Sequence, residues 1–239
     1  MEMGLGNSLV LSRNCAQLAG PLLPHQIPSA HAKLLLHFDG AFSDSSVNQR
    51  VYQPVGTPQI STTEKVFGDG SYLSAGSDRI GYQASPDFNF GDNIPTQFSF
   101  RIRRTSTPIG ENWLGGTQNG NGSVGYTLRA RNSWSLLQFI SVGAVGGSWN
   151  ISHAAGVWAA YRLNHDGAGN YRLYKNGILH GVQNFNITDA SRDFRFGAAW
   201  DGGAGLGGTV DELLIEKHPD LVITTSSIYE VENLPFEIV

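Results

Sequence analysis

From Lys33 onward the apolar residues recur at every second position, not every third or fourth. Leu34, Leu36 and Phe38 alternate with Leu35, His37 and Asp39, and Gly40 ends the run. Side chains two apart share one face of a strand, so this pattern predicts a half-buried strand. Phe98, Phe100 and Ile102 alternate in the same way with Ser99, Arg101 and Arg103. Val157, Ala159, Tyr161 and Leu163 alternate with Trp158, Ala160 and Arg162, and Asp166-Gly167 marks a turn. Trp158 is nevertheless expected in the core, where large aromatics bring most burial. Tyr171 to Lys175 is the next strand, closed by Asn176-Gly177. Both of those residues tolerate the positive φ of a type I′ hairpin, so Ile178 to Val182 returns alongside. Phe194, Phe196 and Ala198 alternate with Arg195 and Ala199, and Val210 to Glu216 is the last core strand. No long stretch carries a helical period free of glycine and proline. Short strands separated by turn signals predict an all-β sandwich or barrel.

The ends of the chain differ from this middle. Residues 1–32 carry Gly4, Gly6, Gly20, Pro21, Pro24 and Pro28 without periodicity, which predicts an extended N-terminal arm. Leu5, Leu9, Leu11, Leu22, Leu23 and Ile27 make it more apolar than a disordered tail, so these residues are the expected anchors on a partner. Ala30-His31-Ala32 has the look of a signal-peptide cleavage site. Glu2 stands where a basic cluster belongs, and the prolines break the apolar run, so a signal peptide is not expected. Residues 33–218 form the expected sandwich. The tail, 219–239, has β-formers at Val222, Ile223, Ile228, Tyr229 and Val231 before Pro235, and is expected to add an edge strand or reach a partner.

Composition narrows the function. The 239 residues are 40% hydrophobic and 15% charged, enough for a sizeable core. Thirty glycines and ten prolines fit many turns and exclude a helical bundle. A net charge of −4 argues against a nucleic-acid partner, because phosphate binding needs a basic face. No apolar run reaches the roughly 18 residues of a membrane span. Cys15 is the lone cysteine, so no disulfide forms within one chain.

Several segments, in order, resemble the laminin-G-like, concanavalin A-like domains. Leu34-Leu35-Leu36-His37-Phe38-Asp39-Gly40, followed by Phe42, Asp44, Ser45 and Ser46, resembles the opening strand of that family. Phe67-Gly68-Asp69-Gly70-Ser71-Tyr72-Leu73 is similar to its glycine-rich strand. Asp87 to Gly91 with Phe98 to Ile102, Gly156 to Arg162, and Leu173 to Gly177 resemble successive later segments. Phe196-Gly197 and Gly208 to Ile215 resemble the closing strand. The resemblance implies an all-β jelly-roll sandwich over residues 33–218 but no particular function, since this fold hosts many. The LLLHFDG and VDELLI forms are similar to domains of bacteriophage virion proteins and bacterial surface proteins. That resemblance implies a non-enzymatic virion structural protein, a capsid decoration or tail-associated component on the particle surface. Its N-terminal arm would anchor it to capsid or tail proteins, and a homo-oligomer, a trimer by family analogy, is expected. The alternative is a glycan-binding adhesion module on a bacterial surface or outside the cell, with host-surface glycan as partner. No cofactor is required on either reading, though calcium is a candidate.

The candidate chemistry is thin. Asp211, Glu212 and Glu216 are the best carboxylates for hydrolysis, but strand alternation places Asp211 and Glu212 on opposite faces. Glu212 and Glu216 lie about 13 Å apart at roughly 3.3 Å per residue. Glycosidases need pairs about 5–5.5 or 6.5–9.5 Å apart, so no catalytic residues are expected. For calcium, Asp39, Asp44 and Asp211 are the candidate ligands, because the resemblance places the first and last strands side by side. The competing reading is that Asp39 and Asp211 bind backbone amides or cap turns. For sugar stacking, Trp113, Trp134, Trp149 and Trp200 lie in or beside Gly/Asn-rich segments. The competing reading is that they fill the core.

Overall fold

The computed structural model describes residues 25–105, 111–117, 125–141, 144–187, 192–198, 205–228 and 235–239. In chain order its strands are β1 (His25–Ile27), β2 (Ala32–Leu36), β3 (Gln59–Ser61), β4 (Ser71–Ser74), β5 (Ile80–Tyr82), β6 (Thr96–Arg104), β7 (Asn112–Gly116) and β8 (Tyr126–Arg131). They continue as β9 (Leu136–Ser141), β10 (Ala144–Asn150), β11 (Trp158–His165), β12 (Asn170–Lys175), β13 (Ile178–Asn184), β14 (Phe194–Phe196), β15 (Gly208–Lys217) and β16 (Phe236–Ile238). A short 3₁₀ turn, Pro86–Phe88, sits between β5 and β6.

Two antiparallel sheets pack face to face, as expected of a jelly-roll-like sandwich. One has six strands in the order β10-β9-β8-β7-β14-β5. The other has eight, β13-β12-β11-β6-β15-β4-β3, with β2 also on β15. The alternation read from the sequence sets which residues face inward. Phe98, Phe100 and Ile102 of β6, Tyr161 and Leu163 of β11, and Leu34 and Leu36 of β2 meet Tyr126 and Leu128 of β8, Phe139 of β9, and Phe194 and Phe196 of β14. The predicted hairpin is present: Asn176 and Gly177 have φ of 48° and 79°, and β12 pairs with β13 across them.

Behind the larger sheet lies a second, smaller core. Leu35 and Leu214 point away from the main interior and are buried with Ile27, Ala32 and Phe236. Ile27 and Phe236 come from β1 and β16, a parallel pair made from the two ends of the described chain. The tail therefore supplies a strand of the fold. His25–Ile27, within the stretch expected to be an arm, pairs with β16 and packs through Ile27 in this core.

β15 carries an irregularity that alternation did not predict. Its register on β6 shifts between Asp211 and Leu214, and Glu212 has a φ of 52°. Val210 and Leu213 both face the main core, so Asp211 and Glu212 both face away from it, not to opposite sides. A bulge of this kind inserts an extra residue and re-aims the side chains beside it. It falls where the edge partner of β15 changes from β4, at Gly208–Val210, to β2, at Leu213–Glu216.

Candidate binding cleft

After β2 the chain turns sharply through Phe38, at a φ of 63°, into a loop ordered by one carboxylate. Asp44 Oδ1 accepts from the backbone N–H groups of Leu35 at 3.0 Å and Ser46 at 2.8 Å. Its Oδ2 accepts from the Ser46 hydroxyl at 2.9 Å and the Arg50 N–H at 3.0 Å. Four donors fill the capacity of an ionised carboxylate, so Asp44 is a loop organiser. Arg50 then reaches across. Its Nε donates to the Lys33 carbonyl at 2.9 Å, its guanidinium pairs with Asp87, and its Cζ lies 4.7 Å from the centre of the Phe88 ring.

The next residues run along the edge of the six-stranded sheet. Tyr52 bridges Tyr82, and Val55 bridges Arg79. This brings the Tyr52 ring onto Phe42, with centroids 4.9 Å apart and planes 24° from parallel. The Tyr82 hydroxyl donates to the Phe42 carbonyl at 2.7 Å and fixes that end. Burial, with Asp78 adding, pushes the Tyr52 hydroxyl up to about 12, so it stays protonated and both donates and accepts. Phe42, Ser43, Gln49, Arg50 and Tyr52 border an open cleft of about 550 Å³, with Asp44 at its base. That volume lies within the roughly 300–1,000 Å³ of small-ligand sites. Two half-buried rings beside a hydroxyl, an amide and a guanidinium offer an apolar platform flanked by hydrogen-bonding groups.

The residues singled out from sequence fare unevenly. Trp134 and Trp149 are buried core residues, so neither is a loop platform. Trp113 is half-buried in β7, facing away from the core, with Arg129 5.5 Å from its ring centre. Glu111 ties Arg129 and Arg131 together there, at 2.7 and 3.0 Å. Trp200 lies outside the described residues, as do Leu5, Leu9, Leu11, Leu22 and Leu23. Ile27, expected to anchor a partner, is instead wholly buried in its own chain's second core. Trp158, expected in the core, is half-buried, because its neighbour Ala159 takes the inward position.

The three candidate calcium ligands do not converge, and among the described residues no group of three or more acidic, histidine or cysteine side chains is placed to hold a metal. Asp39 Oδ1 accepts from the Asp69 and Gly70 amides, and Asp44 is filled as above. Asp211 Oδ2 accepts from Val66 at 2.7 Å and Phe67 at 3.0 Å. Burial raises the Asp211 carboxyl to about 6 against the pull of those amides, and Glu212 adds to the rise. Glu212 holds the His37 imidazole at 2.8 Å and the Phe236 amide at 3.2 Å. The Glu212 hydrogen bond raises the His37 pKa, while burial opposes it. Both Glu212 oxygens are thus engaged in fastening β2 and β16 to the bulge.

No known family profile and no curated protein sequence matches the chain. Solved structures match it in fold. The botulinum neurotoxin serotype D binding domain aligns with a TM-score of 0.61 at 16% identity, over 79% of this chain and 49% of that one. The serotype G binding domain gives 0.57 at 16%, over 77% and 47%. Domain 4 of AbnA, a GH43 extracellular arabinanase from Geobacillus stearothermophilus, solved in complex with arabinotriose, gives 0.60 at 17%, over 79% of this chain and 93% of that one. The chain spans about half the length of the neurotoxin binding domains. At these identities the likeness establishes a shared all-β sandwich. Among the described residues no helix is long and apolar enough to cross a membrane.

The sequence reading missed Tyr52, Gln49 and Arg50. Phe42 and Asp44 were in view, but as parts of an opening-strand resemblance and a metal set. The signal that was available is local: an aromatic at 42 and another at 52 flank a polar loop that an Asp-x-Ser turn can fold back.

Proposed function

We propose that the chain is a non-catalytic carbohydrate-binding sandwich, with the Phe42–Tyr52 cleft as its site. The observation that carries this reading is the stacked aromatic pair set in an open, polar-bordered cleft. A sugar ring has an apolar face for such a platform and hydroxyls for Ser43, Gln49 and Arg50. A shared-fold structure solved with a sugar, the arabinanase domain with arabinotriose, supports the choice of ligand class. A neutral glycan is favoured. Arg50 is the one lysine or arginine lining the cleft among the described residues, and its charge is answered by Asp87. A non-catalytic role fits the same geometry. Asp44 is the cleft's one carboxylate among the described residues, and glycosidic hydrolysis needs a pair.

A glycan array tests the reading. Wild type is expected to bind neutral oligosaccharides, and Tyr52→Ala or Gln49→Ala to weaken binding at least severalfold with the fold intact. Gln49 is exposed, so its variant controls for misfolding. Absence of binding to any neutral glycan would overturn the proposal.

The second reading is a virion structural protein, with the sandwich displayed on a particle and, as such proteins usually are, a symmetric oligomer. One observation favours it. β1 and β16 pair in parallel, and Ser29 N–H donates to the Val239 carbonyl at 2.9 Å, so both ends of the described residues are clamped to the second core. The chain at His25 is thereby held at a fixed point, which suits a particle-anchored sandwich. Both readings hold together if the particle-borne sandwich touches surface glycans. Particle incorporation that is unchanged on deletion of residues 1–24 would count against this reading.

A further inference from the structure

A second pocket lies further along the segment that Arg50, which lines the first, contacts. Arg50, at the cleft, pairs with Asp87 and covers Phe88, while Gly91 and Asn93 a few residues on line a half-enclosed pocket of about 200 Å³. The segment between is pinned. The Lys217 ammonium, itself 5% exposed, donates to the carbonyls of Pro86 at 2.9 Å and Asn89 at 2.8 Å, and to the Asp92 carboxylate. The opposite wall is equally fixed. Asp166 accepts from Ala168 N–H at 2.9 Å, from the Asn170 backbone and side chain, and from Arg172 at 3.0 Å. Burial alone would raise the Asp166 carboxyl, yet these bonds bring it to about 2.

The floor is a stack of rings. His165 lies on Tyr171 at 4.6 Å, and Tyr171 on Phe185 at 4.0 Å. The Gly169 N–H donates to His165 Nε2 at 3.3 Å, and Gly169 holds a φ of 83°, which leaves that wall bare of a side chain. Burial lowers the His165 pKa and favours the neutral ring. At the mouth stand Asn93 and Asn186, both exposed. The pocket is thus small and polar, with amides at its mouth and, among the described residues, no carboxylate lining it. It falls below the roughly 300–1,000 Å³ of drug-sized sites, which suits one neutral polyhydroxylated ring.

We infer that this pocket is a second subsite, taking a single terminal sugar unit of the neutral glycan held at the Phe42–Tyr52 cleft. The inference rests on the carbohydrate-binding reading and adds a length preference to it. The segment runs from Asp87 and Phe88, at Arg50, to Gly91 and Asn93 on the second pocket, and Asn93 and Asn186 read hydroxyls of the terminal ring.

The test titrates arabino- and gluco-oligosaccharides of one to six units into wild type, Tyr52→Ala, and Asn93→Ala/Asn186→Ala, while the side-chain amide NMR signals of Asn93 and Asn186 are followed. Wild-type affinity should climb with length until both subsites are filled. The double amide variant should flatten that climb, losing about three- to tenfold per amide on the longest sugars, with the shortest sugars at the cleft unaffected. High concentrations of the monosaccharide should shift both amide signals even in Tyr52→Ala. Sugar binding that needs Tyr52 but shows the same length dependence in the double variant, with unmoved amide signals, overturns the subsite and leaves the cleft standing. No binding of any sugar overturns both.

Discussion

Truncating Phe236 to alanine isolates the contribution of the paired chain ends. The side chain is 7% exposed and packs with Ile27, Ala32, Leu35 and Leu214 behind the larger sheet. Its backbone N–H donates to Glu212, and that bond survives in alanine. The change therefore removes packing alone. Buried Phe→Ala substitutions cost about 3–5 kcal/mol, and the lower end applies where a small cluster near the surface can close in on the gap. A loss of about 3 kcal/mol, at about 2–4 °C per kcal/mol for a chain of this size, lowers Tm by about 6–12 °C. Differential scanning calorimetry on the purified variant measures it, with circular dichroism confirming that the β-sandwich persists. A drop of under about 2 °C would refute the reasoning, because the second core would then contribute no more than an exposed contact.

Truncation to begin at His25 gives the reference chain for testing β1. Removing 25–32 as well should lower Tm by about 3–12 °C relative to that reference, since Ile27 burial alone is worth about 1.5–3 kcal/mol; equal Tm values would mean that β1 is no part of the fold. Asp211 has a carboxyl raised to about 6, so the folded state holds its proton between the ordinary carboxyl value and that pH. Its stabilisation is complete at lower pH and is lost as pH rises through 6, a cost of roughly 3 kcal/mol for about two pH units. Asp211→Asn should therefore gain on wild type in chemical denaturation as pH climbs from 4 to 7, and a constant difference across that range contradicts the assignment. The His37–Glu212 pair acts in the same direction: it is at full strength below the ordinary histidine value and lost as pH rises through the raised one. Because Asp39, Asp44 and Asp211 bind amides in separate places, sugar binding should be unchanged by EGTA; a loss reversed by added calcium would show a metal requirement.

Much of the fold could be read in advance because period-two burial is a property of neighbouring residues. Phe98, Phe100, Ile102, Tyr161 and Leu163 all face the core as alternation demanded, and the Asn176-Gly177 hairpin follows from local φ preference. Failures come where tertiary context overrides the local pattern. The bulge at Glu212 is needed where β15 exchanges β4 for β2 as its edge partner, an event that no window of sequence contains. Ile27 reads as a free apolar residue until Phe236, over two hundred positions away, is placed against it. Tryptophans in glycine-rich stretches looked like loop platforms, yet Trp134 and Trp149 fill the interior, where a large ring buries most area. The cleft was the least legible part, since Phe42 and Tyr52 meet only after Asp44 has folded the loop between them.

The most direct measurement of the central claim is where a sugar contacts the protein. Titration of arabinotriose into the isotopically labelled chain, followed by NMR, should give saturable shifts centred on the Tyr52 ring and the Gln49 side chain, with the Trp113 face silent. Saturable shifts confined to the Trp113–Arg129 face, with Tyr52 and Gln49 unmoved, would contradict the account.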